Sequence, residues 1–425
     1  MHKRSGIFIL ICLLFSSVIK AQQAVDTLHL SLDSAESIFI HQNLSLLAQK
    51  YNVDAQKALI IQAKLWPNPN FSIEHGPVWH LTNPEATFIN NSSTAASLSQ
   101  LILLAGKRNK QIQLAQANVK LSEYQFFDLL RTLKYSLRTD FFNIYYLQQS
   151  AKVYNEEISD LQQVANAFAE QEGKGYIAEK EVIRIRAQLY SLQNEYAGLI
   201  NQINDVESEL KLVLQVKPAV YIDPIPDSVT IHSLDPAQYP LNVLIDSAYQ
   251  NRTDLQIART NIDINKLNYK YQKALAVPDL TLSFSYDQQG SYVYNYNALA
   301  ASIDLPFFNR NQGNIKSAKA MIDFSTATQK STEATVEETV YRALQKAFTD
   351  DKLYKNIDPK FLNEFDRLLE SVLINYQRRN LTLLDFLDFY DSYKQNILQV
   401  NAIQFNRVSA FEDLNFYTAT NFFNH

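Results

Sequence analysis

The chain has 425 residues, of which 46% are hydrophobic and 20% charged, and its formal net charge at pH 7 is −5. With only 8 glycines and 12 prolines, this composition excludes a disordered protein and a collagen-like fibre. The acidic balance gives no indication of a nucleic-acid-binding protein.

Residues 1–21 have the pattern of a secretory signal peptide. Two basic residues precede an apolar run from Ile7 to Phe15, and cleavage is predicted after Ala21. The run is short for a membrane-spanning anchor, which favours cleavage over retention. The one cysteine, Cys12, lies inside this run, so we expect an exported chain that gains its stability from packing or assembly rather than from disulfides.

The mature chain repeats one pattern about 205 to 210 residues apart, and we divide it into a first copy at 22–240 and a second copy at 241–425. Each copy opens with the tripeptide Asp-Ser-Ala and an amphipathic helix that ends before a proline. In the first copy this helix is predicted from Ser31 to Leu65. Between the copies, Lys217 to Pro240 is predicted to form an irregular belt with short β-like runs, such as residues 229–231.

A pair of strands follows the proline in each copy. Residues Asp279 to Asp287 alternate between apolar and polar types, which predicts a strand with one apolar and one polar face. The return strand carries Tyr292, Tyr294 and Tyr296, and tyrosines near a strand tip suit either a membrane interface or the edge of a soluble sandwich. The first pair, from Phe71 to Ile102, alternates less regularly.

Each strand pair leads into a long helical hairpin. The 66 residues from Lys107 to Glu172 contain no glycine or proline, and their apolar residues follow the 3,4 spacing of a coiled coil. They predict one helix about 100 Å long, which no compact soluble domain accommodates. The second long helix is predicted from about Asn314 to Arg378 with one break at residues 358–359, and the return helices from Tyr176 and Leu381.

Two copies with two strands each give four membrane strands per chain, which cannot close a barrel in lipid. Several chains must therefore share one barrel. Three chains related by cyclic symmetry would supply twelve strands around a water-filled lumen.

This arrangement resembles the TolC-like outer-membrane efflux protein family over essentially the whole mature chain. The most specific segments are Pro67-Asn68-Pro69, Gly106-Lys107-Arg108 and residues 305–315, and the last two resemble the branch that serves heavy-metal and cation exporters among other substrates. The resemblance implies a mainly α fold with a small β part. Three chains would form a homotrimer in which a twelve-stranded outer-membrane β-barrel joins a periplasmic tunnel of helical hairpins.

The family further implies a passive exit duct in a tripartite efflux pump. It would lie in the cell outer membrane, contact outer-membrane lipid and extend into the periplasm. It would export small molecules or metal cations delivered by a periplasmic adaptor (membrane fusion) protein and an inner-membrane pump of the RND type. The alternatives are the outer-membrane component of a type I protein secretion system and a periplasmic coiled-coil scaffold without a barrel.

The resemblance also implies site residues in the hairpins. Tyr376 matches a tyrosine that helps hold the closed periplasmic end, and Asp385 and Asp388 match an acidic pair that forms rings at the constriction. Leu381 stands where some members have a gating arginine, and aspartates are also common in any first helical turn. Adaptor docking is expected at the hairpin tips, at Gly173, Lys174, Gly175, Arg379 and Asn380. For Gly173, Lys174 and Gly175 the simpler interpretation is a turn without a docking role.

No catalytic, cofactor or metal site is predicted. The histidines have no metal-binding helical spacing, and the chain has no glycine-rich phosphate loop or Ser-His-Asp signature. Outside the predicted signal peptide, which contains His2, they are His29, His41, His75, His80, His232 and His425.

Overall fold

The structure is a computed structural model that describes residues 26–77, 92–227, 234–290, 293–378 and 380–423. The predicted signal peptide, residues 229–231 and Tyr292 lie outside these ranges. In chain order the elements are β1 (Thr27–Leu30), α1 (Leu32–Gln42), α2 (Leu44–Ala63), β2 (Asn70–Pro77), β3 (Ser92–Ile102), α3 (Lys107–Gly173), α4 (Glu179–Leu214), β4 (Tyr221–Pro224), α5 (Leu241–Asn251), α6 (Thr253–Leu275), β5 (Leu280–Asp287), β6 (Tyr296–Ile303), α7 (Gln312–Lys355), α8 (Pro359–Gln377) and α9 (Leu383–Thr418).

The described residues fall into two compact units, and each unit draws segments from both sequence copies. The first, which we call the hairpin unit, comprises residues 26–42, 137–227, 360–378 and 380–405. The second, which we call the sheet unit, comprises residues 43–77, 92–136, 234–290, 293–359 and 406–423. The division into copies at 22–240 and 241–425 stays a prediction.

The long helices agree with the sequence analysis. α3 is one unbroken helix of 67 residues, which corresponds to about 100 Å at a rise of about 1.5 Å per residue. The second long helix is interrupted between Lys355 and Pro359, as predicted, because proline cannot donate the backbone hydrogen bond that a continuous helix needs. No helix in the described ranges combines the length and the apolar character needed to cross a membrane.

The single helix predicted from Ser31 to Leu65 is wrong, because the chain forms two helices with a break at Asn43. Asn43 has an extended backbone, and its side-chain Oδ1 accepts a hydrogen bond from the Leu46 N–H at 2.9 Å. The second copy breaks in the same way at Arg252, between α5 and α6. Neither break has a glycine or proline to mark it in the sequence, although asparagine is a favoured N-cap residue.

A short parallel pair of strands, β1 and β4, was missed. Thr27 pairs with Tyr221 and Leu30 with Pro224, so part of the predicted irregular belt is a strand. The Gln148 side-chain amide of α3 donates to the Ile222 carbonyl at 2.8 Å, which fixes β4 against the helix. Strands of four residues are too short for alternation to reveal them.

The four strands predicted from alternation form one antiparallel sheet in the order β2-β3-β5-β6. β3 and β5 pair along their length, so the sheet joins the two copies. β6 begins at Tyr296, so Tyr294 precedes the strand rather than lying in it.

Each unit has its own apolar core. In the sheet unit the core joins α5, α7 and α9, and in the hairpin unit it joins α3, α4, α8 and α9. Their central residues include Leu244, Val340, Leu344, Phe411 and Leu414 in the sheet unit, and Leu161, Ile185, Val372, Phe386 and Tyr390 in the hairpin unit.

Candidate functional sites: the sheet and the hairpin turns

One face of the four-stranded sheet carries large apolar side chains. The pairing register places Phe71, Leu98, Phe284 and Leu299 in one row across all four strands. Each of these side chains is at least 45% exposed. An apolar row of this extent is unfavourable in water, whereas it matches the lipid-facing band of a membrane strand.

The opposite face is built from small and uncharged side chains. Ser72 and Ser97 lie opposite each other, with their hydroxyl oxygens 2.8 Å apart. The exceptions among the described strand residues lie at the two ends of this face, with Leu101 at the helix end and Glu74, Asp287 and Tyr296 at the loop end. Two rows of this face consist of Asn70, Ser99, Ser283 and Ala300, and of Ser72, Ser97, Ser285 and Ala298. Such a face suits contact with water.

The turn from strand to helix explains the Gly106-Lys107-Arg108 segment. Gly106 has a φ of +64°, a left-handed conformation that glycine adopts without strain. The buried Lys107 ammonium lies 2.7 Å from the Asp279 carboxylate, which also accepts the Leu104 N–H at 2.9 Å. The start of α3 is therefore tied to the start of β5.

The first hairpin turn contains Gly173, Lys174 and Gly175. Gly175 has a φ of +76°, and its N–H donates to the Glu172 carbonyl at 2.8 Å. The Lys174 ammonium binds the exposed Glu170 carboxylate at 2.6 Å and, through this hydrogen bond, lowers the pKa of Glu170. The predicted turn geometry is thus present, and the docking role of these residues stays a prediction.

The second hairpin turn contains the acidic pair. Asp385 accepts a hydrogen bond from the Thr382 hydroxyl at 2.6 Å, and its own N–H donates to that hydroxyl at 3.2 Å. This reciprocal contact caps α9 and gives Asp385 a structural role at the helix start. Asp388 is exposed, the Asn380 N–H donates to the Asn375 carbonyl at 2.9 Å, and Arg379 lies outside the described residues.

The structure brings the two hairpin turns together. One cavity of about 610 Å³ is lined by residues of both, including Gln171 and Tyr176 of the first turn and Leu381 and Thr382 of the second. Tyr376 also lines this cavity. The predicted tips and the predicted entrance tyrosine are therefore neighbours in the hairpin unit.

Tyr376 belongs to a stack of four aromatic rings. Its ring centroid lies 4.1 Å from that of Phe386 and 5.6 Å from that of Phe168, and Phe386 continues to Tyr390 at 4.5 Å. Burial raises the pKa of Tyr376, and its hydroxyl has no hydrogen-bond partner in the described part of the chain. Tyr376 is therefore held by ring stacking rather than by a hydrogen bond.

One hydrogen bond between the two hairpins comes from Tyr390, which was not among the predicted site residues. The Tyr390 hydroxyl donates to the Asp160 carboxylate at 3.0 Å, which joins α9 to α3. Burial, and then the Asp160 charge, raise the pKa of Tyr390. The spacing of Phe386 and Tyr390 by one helical turn was the only sequence signal, because Asp160 lies 230 residues away.

A buried charge cluster follows on the same helices. The Lys394 side chain is 2% exposed, and its ammonium binds Glu195 at 2.8 Å and Asp391 at 3.0 Å. Glu157 is 3% exposed, and its Oε1 atom has no hydrogen-bond partner among the described residues. Burial raises the pKa of Glu157 to about 8, with smaller contributions from nearby carboxylates, Asp160 among them, and an opposing one from Lys394. Glu157 therefore holds a proton at neutral pH.

Related proteins share this organisation. The cobalt-zinc-cadmium resistance protein CzcC of Cupriavidus metallidurans is 20% identical over 362 residues, which cover 84% of this chain and 82% of the relative. The CmeC outer membrane channel of Campylobacter jejuni has a TM-score of 0.73 at 16% identity, covering 91% of this chain and 85% of that one. The outer membrane protein VceC of Vibrio cholerae has a TM-score of 0.70 at 15% identity, covering 92% of this chain and 96% of that one.

The sequence model of the family described as "Outer membrane efflux protein" matches residues 37–214 and 244–413. The two matched segments include both long hairpins and all four strands of the sheet. They cover most of the chain, and the solved structures share its fold. This chain therefore belongs to the outer membrane efflux protein family, which confirms the predicted family, efflux role and outer-membrane location.

Proposed function

We propose that this chain is the exit duct of a tripartite efflux pump. Three copies share one twelve-stranded outer-membrane barrel, and the hairpins continue the duct into the periplasm. Small molecules or metal cations pass through passively after delivery by a periplasmic adaptor and an inner-membrane transporter of the RND type. The observation that carries the proposal is the four-stranded sheet with an exposed apolar row on one face and small polar residues on the other.

The sheet edges support sharing between chains. In the described residues β2 and β6 each pair on one side only, so the outer edge of each strand carries free backbone groups. Unpaired backbone groups are not tolerated in lipid, and about eight strands are needed for the smallest membrane barrels. Pairing β2 of one copy with β6 of the next satisfies these edges and closes the barrel.

The hairpin turns form the periplasmic entrance in this proposal. Tyr376, Asp385 and Asp388 line the constriction, where three chains bring six exposed carboxylates together and favour cations. Gly173, Lys174, Gly175, Arg379 and Asn380 meet the adaptor. The cavity shared by both turns supports this docking role, because it offers one recess to which both hairpins contribute.

Divalent metal cations are the favoured cargo. The support is the relative that is named for cobalt, zinc and cadmium resistance, together with the acidic turn. Cells that lack this protein should fail to grow in medium that contains these cations at inhibitory concentrations, but they should secrete polypeptides normally. Unchanged metal tolerance with lost secretion would favour a type I secretion duct.

A pair of single substitutions tests the duct itself. Phe284→Arg places a charge in the apolar row, whereas Ser283→Arg places it on the opposite face of the same strand. We expect Phe284→Arg to abolish recovery with the outer membrane, since an arginine on the lipid face near the bilayer midplane costs about 2 to 4 kcal/mol in each copy. Ser283→Arg should still insert and conduct in planar bilayers.

The size of the detergent-solubilised protein completes this test. A trimer that conducts is the expected result. A monomer released with the soluble periplasmic contents would contradict the duct and favour the scaffold.

A further inference from the structure

The end of the sheet that joins the helices carries exposed aromatic side chains. Trp66 precedes β2 and is 57% exposed, while Phe307 and Phe308 follow β6 and are 70% and 95% exposed. The register pairs Ile102 with Leu280 and Leu280 with Ile303, so both junctions lie at the same end of the sheet. These exposed rings therefore lie just beyond the last strand residues at this end of the sheet.

Cations accompany these rings. The Arg108 guanidinium lies 4.7 Å from the centre of the Trp66 ring, and its Nε and Nη2 atoms donate to the Lys64 carbonyl at 2.8 and 2.5 Å. The Lys110 ammonium donates to the Ala105 carbonyl at 2.6 Å. Arg310 is exposed and lies two residues after Phe308.

These cations lack counter-charges in the structure. Among the described residues, none of Arg108, Lys110 and Arg310 is paired with a carboxylate, whereas the neighbouring Lys107 is paired with Asp279. Asp304 is the one acidic residue between β6 and α7. The described residues at the opposite end of the strands have the reverse sign, with Glu74 and Asp287 on β2 and β5.

The length of the strands agrees with a membrane border at this end. β3 has 11 residues, which span roughly 36 Å at about 3.3 Å per residue and rise roughly 26 Å along the barrel axis at a strand tilt of about 45°. The apolar band of an outer-membrane barrel is about 25 Å tall. The rings and cations at the helix end therefore fall where acyl chains meet headgroups.

We propose that this end of the sheet is seated in the phospholipid leaflet that faces the periplasm, with Trp66, Phe307 and Phe308 at the border of the acyl chains and Arg108 and Arg310 bound to phospholipid phosphates. The inference rests on the proposed function and adds the depth of the border and the chemistry of the lipid. Aromatic rings favour this layer, and a guanidinium matches phosphate with two parallel hydrogen bonds. Anionic phospholipids are preferred because the cations are uncompensated.

Trp66 can report the depth directly. The chain has two tryptophans, so Trp79→Phe leaves Trp66 as the only one. We expect bromine atoms near the headgroup end of phosphatidylcholine acyl chains to quench the fluorescence of the reconstituted trimer several-fold more than bromine atoms near the chain ends. Conducting trimers in which neither label quenches Trp66 would overturn the inference and leave the duct intact. Failure of the duct itself would appear instead as protein that neither inserts nor conducts.

The phosphate contacts are tested by lipid retention. Native mass spectrometry of trimers taken from vesicles of phosphatidylcholine and phosphatidylglycerol should show retained phosphatidylglycerol, with at least a threefold loss in the double variant Arg108→Gln/Arg310→Gln. Arg310→Gln alone should leave packing intact, because the side chain is exposed, and it should lose part of the retention. Lys330→Gln, an exposed position within α7, is the matched control. Equal retention in all variants would overturn the phosphate assignment.

Discussion

Each unit of the protein contains a cation that is almost completely buried, Arg407 in the sheet unit and Lys394 in the hairpin unit, and these two cations are satisfied in different ways. Arg407 of the sheet unit is 1% exposed. Its Nε donates to Asp351 at 2.8 Å, its Nη2 donates to the Leu234 carbonyl at 2.7 Å, and its guanidinium lies 4.2 Å from the centre of the Tyr354 ring. A planar group with five donors is thus matched by partners in fixed positions.

Lys394 of the hairpin unit has a different environment. Its partners Glu195 and Asp391 are partly exposed, and Glu157 is buried beside them with one unsatisfied oxygen. Burial raises the pKa of Glu157 to about 8, and the neighbouring carboxylates add to this effect, so Glu157 retains a proton at neutral pH. The comparison teaches that the sheet unit matches its cation with fixed partners, whereas the hairpin unit also buries a protonated carboxyl beside its cation.

Replacing Arg407 should give the largest effect. Arg407→Met removes the guanidinium and roughly keeps the side-chain volume. Among the described residues, the buried Asp351 then keeps one ion-pair partner, the exposed Lys355, at 2.7 Å. We expect a loss of about 3 kcal/mol in the free energy of unfolding, since an uncompensated buried charge costs about 3 to 5 kcal/mol. Urea denaturation measures it. The exposed Arg342→Met on α7 is the control, and equal losses in the two variants would contradict the special role of Arg407.

Glu157→Gln tests whether this buried carboxyl holds a proton in the folded state. The pKa of Glu157 is raised by burial from 4.5 to about 8, so the wild-type folded state loses stability as pH rises from about 4.5 to about 8, where the unfolded state has released this proton. Glutamine resembles the protonated acid and has no such dependence. The variant should therefore match the stability of the wild type near pH 4 and exceed it by an amount that grows until about pH 8.

Thermal unfolding from pH 4 to pH 9 measures this difference. Glu156→Gln changes the neighbouring exposed acid and should not alter the pH dependence. A constant difference between wild type and Glu157→Gln at all pH values would show that Glu157 is ionised in the fold.

Two tyrosines of the hairpin unit, Tyr390 and Tyr376, allow a comparison between a hydroxyl with a hydrogen bond and a hydroxyl without a described partner. Tyr390→Phe removes the bond to Asp160 and should cost about 1 to 1.5 kcal/mol. Tyr376→Phe removes a buried hydroxyl without a described partner, so it should be neutral or stabilising. Urea denaturation of both variants measures the two changes in the free energy of unfolding. A check that each variant still forms trimers is the control. A larger loss from Tyr376→Phe would show that its hydroxyl bonds to another group in the assembly.

Substitutions of Asp385 and Asp388 in the second hairpin turn should have the smallest effect on stability, and they should have a separate effect on ion conduction. Asp385→Ala removes the contact with Thr382 and should cost about 0.5 to 1 kcal/mol, whereas Asp388→Ala should be neutral. In planar bilayers the double variant should lose the block of single-channel current by trivalent cations. Persistent block would show that these two residues do not line the entrance, and it would leave the proposal of an exit duct unaffected.

The sequence predicted the features that depend on local pattern. α3 followed from its uninterrupted run without glycine or proline, and the two faces of β5 followed from strict alternation. The breaks at Asn43 and Arg252 escaped because no breaker residue marks them. Contacts between distant segments, such as Tyr390 with Asp160 and Arg407 with Asp351, could not be predicted, since many acids on each helix were equally available as partners.

The uncharged face of the sheet has a consequence for permeation. Between its ends this wall offers only methyl groups, amides and hydroxyls, and two of those hydroxyls are engaged with each other. An ion in transit along the proposed lumen meets no fixed charge there to hold it back or repel it. Selection among solutes must then occur before the solute enters this part of the lumen. The strands determine only the diameter of the pore and the rate of permeation.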